Sequence, residues 1–171
     1  MKQVHRNHTT ARTSMRMSMA DKTKLQARLK PYVLNMEEDV TAFKNIELEV
    51  GMGNGLALLE RAKAAPNTLF LGNEVYLNGV KSLVNALEKE PNIQNVRILT
   101  EDGRDVLNAL PQNYLSRILV PFPDPWPKTR HHKRRIIQPD FLTLCHQKLK
   151  SDGELWVMTD IADYALFALT H

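Results

Sequence analysis

Apolar and polar positions follow two different rhythms along this chain, and the change comes at Ile46. Residues 1–20, MKQVHRNHTTARTSMRMSMA, show no apolar period and contain no acid, which reads as a flexible basic arm. Asp21 to Leu34 carries a weak helical pattern with Leu25, Leu29 and Val33 on one side. From Ile46 short apolar runs alternate with helical segments. The pattern predicts strands near 46–50, 68–73, 95–99, 116–121 and 154–158, and helices over 55–64, 76–89, 103–109 and 136–149. Strand and helix alternating at this spacing predict an α/β fold, a doubly wound, mostly parallel sheet with both faces covered. The expected division is a basic arm over 1–30 and one domain over 31–171. Sheets of this kind bind ligands beyond the carboxyl ends of their strands, so the chemistry is expected just after Val50, Leu71, Leu99, Val120 and Val157.

Composition narrows the picture. A chain of 171 residues, 43% hydrophobic and 25% charged, suits one compact core. No apolar run approaches the ~20 residues that cross a bilayer. The single cysteine, Cys145, excludes an internal disulfide and a cysteine zinc cluster, and it is expected as a small buried apolar residue. A reducing interior such as the cytoplasm is the expected compartment. The N-terminus has no secretory apolar region; its Arg and Ser/Thr content resembles a transit peptide, without the apolar face. The net charge of +4 conceals an asymmetry. Residues 1–30 hold eight Lys/Arg against one acid, Lys128 to Arg135 hold five bases and no acid, and the rest of the chain is net acidic. Two concentrated basic segments on an acidic body point to contact with a polyanion, or to solvated charge on loops.

The predicted first strand runs into ELEVGMGNGLALL, so Gly51, Gly53 and Gly55 follow it directly. Glycines there permit a sharp turn and close approach of a ligand to bare backbone. A dinucleotide fingerprint calls for glycine at 56, where Leu56 stands. The G-x-G-x-G spacing is instead the form common in S-adenosylmethionine-dependent methyltransferases, although many strand-to-helix turns use a glycine. Glu74 ends the second strand, 19 residues after Gly55. It can accept hydrogen bonds from two ribose hydroxyls, or stabilise a helix N-terminus. Asp102, in TEDGRD after the third strand, can reach an adenine amino group, or serve as an Asp-Gly turn residue. Glu49 lies inside the first strand on the face opposite Leu48 and Val50, and a buried acid needs a partner. Contact with the positive end of a cofactor would supply one.

The fourth strand leads into ILVPFPDPWPKTRHHKRR. Pro123, Pro125 and Pro127 stiffen this loop and hold Asp124 at the sheet's carboxyl edge. Trp126 offers a flat face or a packing anchor. Lys128, Arg130, His131, His132, Lys133, Arg134 and Arg135 then form a cationic cluster. A rigid acid–aromatic loop beside such a cluster suits a base pocket next to a phosphate-binding surface. His131 and His132 lack a carboxylate partner in sequence, so no metal site is expected.

Together ELEVGMGNG, GNEVY, PFPDPWPKTRHHKRR, QPDFL and VMTD resemble the bacterial tRNA (guanine-N7)-methyltransferases, over about residues 46–165. The resemblance implies a class I, Rossmann-like methyltransferase fold, S-adenosylmethionine as cofactor, and methylation of a guanine in the tRNA variable loop. Glu49, Glu74 and Asp102 match the family's cofactor-contacting acids. Asp124 matches its catalytic acid, which also lies at the cofactor. Lys128 and Asp160 match substrate-contacting positions, and Arg130 to Arg135 match the RNA-contacting run. Two departures stand out. Asn73 replaces a small apolar residue before Glu74 and is expected to perturb the second strand's end. The family's C-terminal part, with its T-x-x-E motif and last two strands, has no counterpart before His171, so the fifth strand's outer side is expected to be unpaired unless another chain covers it. Two other readings stay open: a non-catalytic RNA-binding remnant, and an exocyclic-amine methyltransferase, which would place Pro-Pro-aromatic after the acid where Pro125-Trp126 stands. Monomer and homodimer are equally compatible.

Overall fold

The computed structural model describes residues 17–170, so most of the expected arm lies outside the described residues. Five strands form one parallel sheet in the order β3-β2-β1-β4-β5. Central β1 (Asn45–Val50) pairs β2 (Thr68–Asn73) on one side and β4 (Leu115–Pro121) on the other. β3 (Val96–Leu99) and β5 (Leu149–Met158) are the outer strands. Every residue of β2 is buried, which explains the consecutive apolar residues Leu69, Phe70 and Leu71: a parallel strand covered on both faces has no solvent side to alternate with.

Strand order decides which helix covers which face. The chain moves outward through β1, β2 and β3, then crosses back to β4 and β5, so right-handed crossovers put the two helix sets on opposite faces. On one face α1 (Met19–Leu29), α2 (Leu56–Ala64) and α3 (Leu77–Leu87) pack over Phe70, Val96 and Ile98. On the other, α4 (Gly103–Ala109), α5 (Pro139–Lys148) and α6 (Ala162–Leu169) pack over Leu48, Leu71, Ile118 and Val120. Helix α3 buries Val80, Leu83, Val84 and Leu87, a single stripe at helical spacing. Cys145 lies buried in α5, and burial pushes its thiol up to about 12.

The expected boundary at residue 30 is corrected by α1. Ser18 caps this helix, its Oγ accepting the Asp21 N–H at 3.1 Å. Leu25 and Leu29 are buried, and Arg28 donates to Glu88 and Asn85 beside α3. The helix therefore belongs to the domain. Val33 does not share its buried side: it is 48% exposed and forms a parallel bridge with Ile98 at the outer edge of β3.

At the opposite edge β5 has no partner on its outer side among the described residues. Leu155 and Val157 pack against the core, while Trp156 and Met158 are exposed. The Arg117 guanidinium lies 4.0 Å over the Trp156 ring and covers part of that face. No helix among the described residues is long and apolar enough to cross a membrane.

Candidate active site

The turn after β1 is built from three residues in the left-handed region, Gly51, Gly53 and Gly55, with φ of 81°, 59° and 71°. Its backbone is tied to β2, since the Gly51 and Met52 N–H groups both donate to the Asn73 carbonyl, at 2.9 and 3.0 Å. Nothing lies within 4 Å of where a Cβ would stand at Gly51 or Gly53, leaving a bare backbone cradle. Gly55 differs, because a Cβ there would meet Leu83 of α3 at 2.8 Å, so this glycine serves packing. Gly79 completes the arrangement, because a Cβ there would overlap the Gly53 carbonyl oxygen. Helix α3 thus rests directly on the turn. Gly79→Ala is expected to lower stability by about 1–3 kcal/mol by overpacking, read as a reduced midpoint in denaturant unfolding with an unchanged slope.

Beyond the strand ends lies a cavity of about 570 Å³, lined by residues that include Gly51, Asn73, Glu74, Asp102, Phe122 and Asp124. Four of the five predicted strand ends contribute; the end after Val157 does not. Glu74 is fixed at both carboxylate oxygens, Oε2 accepting the Gly53 N–H at 3.0 Å and Oε1 the Tyr76 N–H at 2.8 Å. A carboxylate offers about four acceptor positions, so two remain for a ligand. Asp102 caps α4, its Oδ1 accepting the Arg104 N–H at 2.9 Å, and it also lines the cavity. The turn role and the ligand role are therefore compatible at both acids.

Asn73 does not perturb the end of β2. Its Nδ2 donates to the carbonyls of Leu99 at 3.2 Å and Glu101 at 2.8 Å, stitching β2 to the segment that carries Asp102. Glu49 is not among the cavity's lining residues. It is 5% exposed, and its Oε2 accepts from Arg61 of α2 at 2.5 Å. Burial pushes its carboxyl up, opposed by Arg61. Arg61 and Arg117 both also reach Glu47, so the buried acid belongs to an ion network behind the sheet.

The loop after β4 holds two residues in the left-handed region that favours glycine, Phe122 at φ 46° and Trp126 at φ 42°. Such conformations cost roughly 1–3 kcal/mol each and persist only where the surroundings hold them. Between them sits Asp124, exposed and without a hydrogen bond or ion pair among the described residues. A second cavity of about 660 Å³ lies outside the first, lined by Tyr76, Asp124, Pro125, Trp126, Pro127, Lys128, His131 and Arg134. The two share Tyr76, Asp124, Trp126 and Arg134. Tyr76 was not singled out in the sequence; its place two residues after Glu74, opening α3, is the signal that could have found it. Asp160 is exposed and lines neither cavity.

The basic run divides into two groups. Residues Thr129–Arg134 form a 3-10 helix on which Arg130, Lys133 and Arg134 are exposed. His131 meets Trp126 edge to face at 5.7 Å, and Arg134 lies over the same ring at 4.9 Å. Desolvation and the neighbouring cations Arg134, Arg130, Lys128 and Lys133 hold the His131 imidazole below the usual histidine range. Arg135 and His132 depart from the expected RNA contact. Arg135 is 1% exposed, donating from Nε to the Pro125 carbonyl at 2.8 Å and pairing with Asp163. His132 is half-buried against Phe167, with its Nε2 sealed from solvent. The Arg135 guanidinium is thus covered by the fold, and His132 is only partly open to solvent.

An open parallel sheet in the order 3-2-1-4-5, with a glycine cradle and acids at its strand ends, defines a class I, Rossmann-like methyltransferase domain. A family model described as "Putative methyltransferase" matches residues 44–171, and the chain belongs to that family. It is 40% identical over 137 residues to a Wolbachia pipientis wMel protein named tRNA (guanine-N(7)-)-methyltransferase, covering 80% of this chain and 62% of that one. It is 48% identical over 119 residues to a Nitrosococcus oceani protein of the same name, covering 69% of this chain and 50% of that one. The chain thus spans about half to three fifths of the length of these relatives. Among solved structures it is similar to an antibiotic-related methyltransferase, with a TM-score of 0.56 at 18% identity over 90% of this chain and 71% of that one. It is also similar to precorrin-6y C5,15-methyltransferase from Geobacter metallireducens GS-15, with a TM-score of 0.57 at 16% identity over 92% and 72% of the two chains.

Proposed function

We propose that this chain transfers a methyl group from S-adenosylmethionine to N7 of a guanine in the variable loop of tRNA. One observation carries the reading: Asp124 lies on the wall of both cavities, at the junction where a group held in one would meet a group held in the other. The inner cavity suits the cofactor. Its volume is within the range of small-molecule sites, its floor is the open Gly51 backbone, and Glu74 and Asp102 stand at its strand ends. When bound, the cofactor supplies an electrophilic methyl group.

The outer cavity suits an unstacked base. Tyr76 and Trp126 give it aromatic surface, and Lys128 and Arg134 give it positive charge. Guanine N7 carries a lone pair and no proton, so the chain needs no general base. Positive charge arrives on the purine during transfer. Asp124 holds the base in line and stabilises that charge. Lys128 meets the substrate at the outer cavity, and Asp160, which lines neither cavity, is assigned to the substrate by the family resemblance alone. The names of the relatives support tRNA as the substrate. A reducing cytoplasmic setting agrees with the free thiol of Cys145.

Methyl transfer from labelled cofactor to total tRNA, followed by nucleoside analysis, tests the reading. The expected product is 7-methylguanosine. Methyl on an exocyclic amine, or tRNA binding without transfer, would overturn it.

Beyond Lys128, the exposed members of the basic run are Arg130, Lys133 and Arg134. Replacing all three with alanine is expected to weaken tRNA binding across sequences and to flatten its salt dependence by about two to three counterions. Filter binding over a salt series reads this. An unaltered slope would assign them to solvated charge.

A further inference from the structure

The basic run carries one fully buried cation, which the proposed reaction does not use. Arg135 is 1% exposed at the end of a segment whose other cations are exposed or half-buried. Burying a guanidinium is costly unless its surroundings compensate it. Here two separate elements serve Nε and Nη2, while Nη1 is buried without a hydrogen-bond partner among the described residues. Nε donates to the Pro125 carbonyl at 2.8 Å, one residue after Asp124. Nη2 pairs with Asp163 on α6, three residues after Asp160. The guanidinium lies 5.1 Å from the Tyr164 ring centroid and 4.6 Å from that of Phe167, both also on α6.

The Asp124 loop needs such a tether. Pro123, Pro125 and Pro127 donate no hydrogen bonds, and Phe122 and Trp126 sit in left-handed backbone. At its start the loop is held by the Phe122 N–H, which donates to the Met158 carbonyl at 2.8 Å. The Arg135 bond to Pro125 is its second attachment, placed on the far side of Asp124.

We propose that Arg135 is a positioning residue, clamping the Asp124 loop to α6 so that Asp124 keeps a fixed place between the two cavities. The role of Asp124 rests on the proposed function; the clamp itself does not. Lysine is a poor substitute. Its single ammonium keeps the charge beside Asp163 but lacks the planar fork that serves Pro125 and Asp163 together while lying against two rings.

The test labels the chain with 5-fluorotryptophan, which reports separately on Trp126 in the loop and Trp156 on β5. Arg135→Lys and Asp163→Ala are each expected to shift or broaden the Trp126 fluorine resonance and to leave Trp156 unchanged. The double variant is expected to show no more than the larger single effect, because both substitutions release the same clamp. Affinity for S-adenosylhomocysteine should stay within about threefold, and in tRNA methylation kcat should fall at least about tenfold with KM little changed. Asp163 is largely exposed, so its substitution keeps the test alive if Arg135→Lys folds poorly. An unmoved Trp126 signal, equal movement of both tryptophans, or additive effects would overturn the clamp. A parent chain that binds no S-adenosylhomocysteine would overturn the cofactor assignment, and the fluorine spectra would still decide the clamp.

Discussion

Asp124→Asn is expected to lower the rate of tRNA methylation by about 10²–10³ while tRNA and cofactor affinities change little. Asparagine keeps the size of the side chain and one acceptor oxygen but removes the negative charge. The carboxylate has no hydrogen bond or ion pair among the described residues, so none of these is lost with its charge. That sets it apart from Glu49, Glu74, Asp102 and Asp163, each of which bonds a neighbouring residue. Near-normal stability is therefore expected, and thermal unfolding checks it alongside turnover. Affinity for tRNA should survive because the exposed cations supply most of it. A rate within a few-fold of the parent would remove Asp124 from catalysis and leave Tyr76, Trp126 and Arg134 as the groups the two cavities share.

The parts of the fold that were legible in the sequence are those in which local pattern and burial coincide. Strand β2 was readable because both its faces are covered, and α3 because one stripe of four residues meets the core. Cys145 was readable for the same reason. Val33 was not, since its contribution is a backbone bridge to Ile98, which carries no side-chain signature. Arg134 and Arg135 are neighbours of identical type, yet one is exposed and the other buried. The difference is made by Asp163, Tyr164 and Phe167, about thirty residues further along. Asn73 was legible as a departure from a family pattern, but its effect was not. The carbonyls it bonds, at Leu99 and Glu101, become neighbours only when β3 pairs with β2. Glu49 was rightly expected to need a partner. Its spacing from Arg61 says nothing until α2 folds back over the sheet.

Glu74→Ala should weaken cofactor binding on the order of a hundredfold, more than the loss of a single hydrogen bond would give. Two effects combine. Charge-assisted bonds from a carboxylate to ribose hydroxyls contribute roughly 1.5–3 kcal/mol. The same carboxylate also holds the Gly53 and Tyr76 N–H groups, so alanine releases the glycine turn and the first residue of the approach to α3. Glu74→Gln lies between the two. Glutamine keeps the length of the side chain and one acceptor oxygen, so it retains one of the two turn bonds, and it carries no charge for the hydroxyls. If Glu74 reads the ribose, glutamine should lose about tenfold in affinity while the folded turn persists, and alanine should lose much more. Calorimetry with S-adenosylhomocysteine measures both, with circular dichroism confirming the fold. Full affinity in Glu74→Gln beside a large loss in Glu74→Ala would mean that the acid only holds the turn. Full affinity in a folded Glu74→Ala chain would remove Glu74 from the cofactor site and leave Asp102 and the Gly51 backbone to define it.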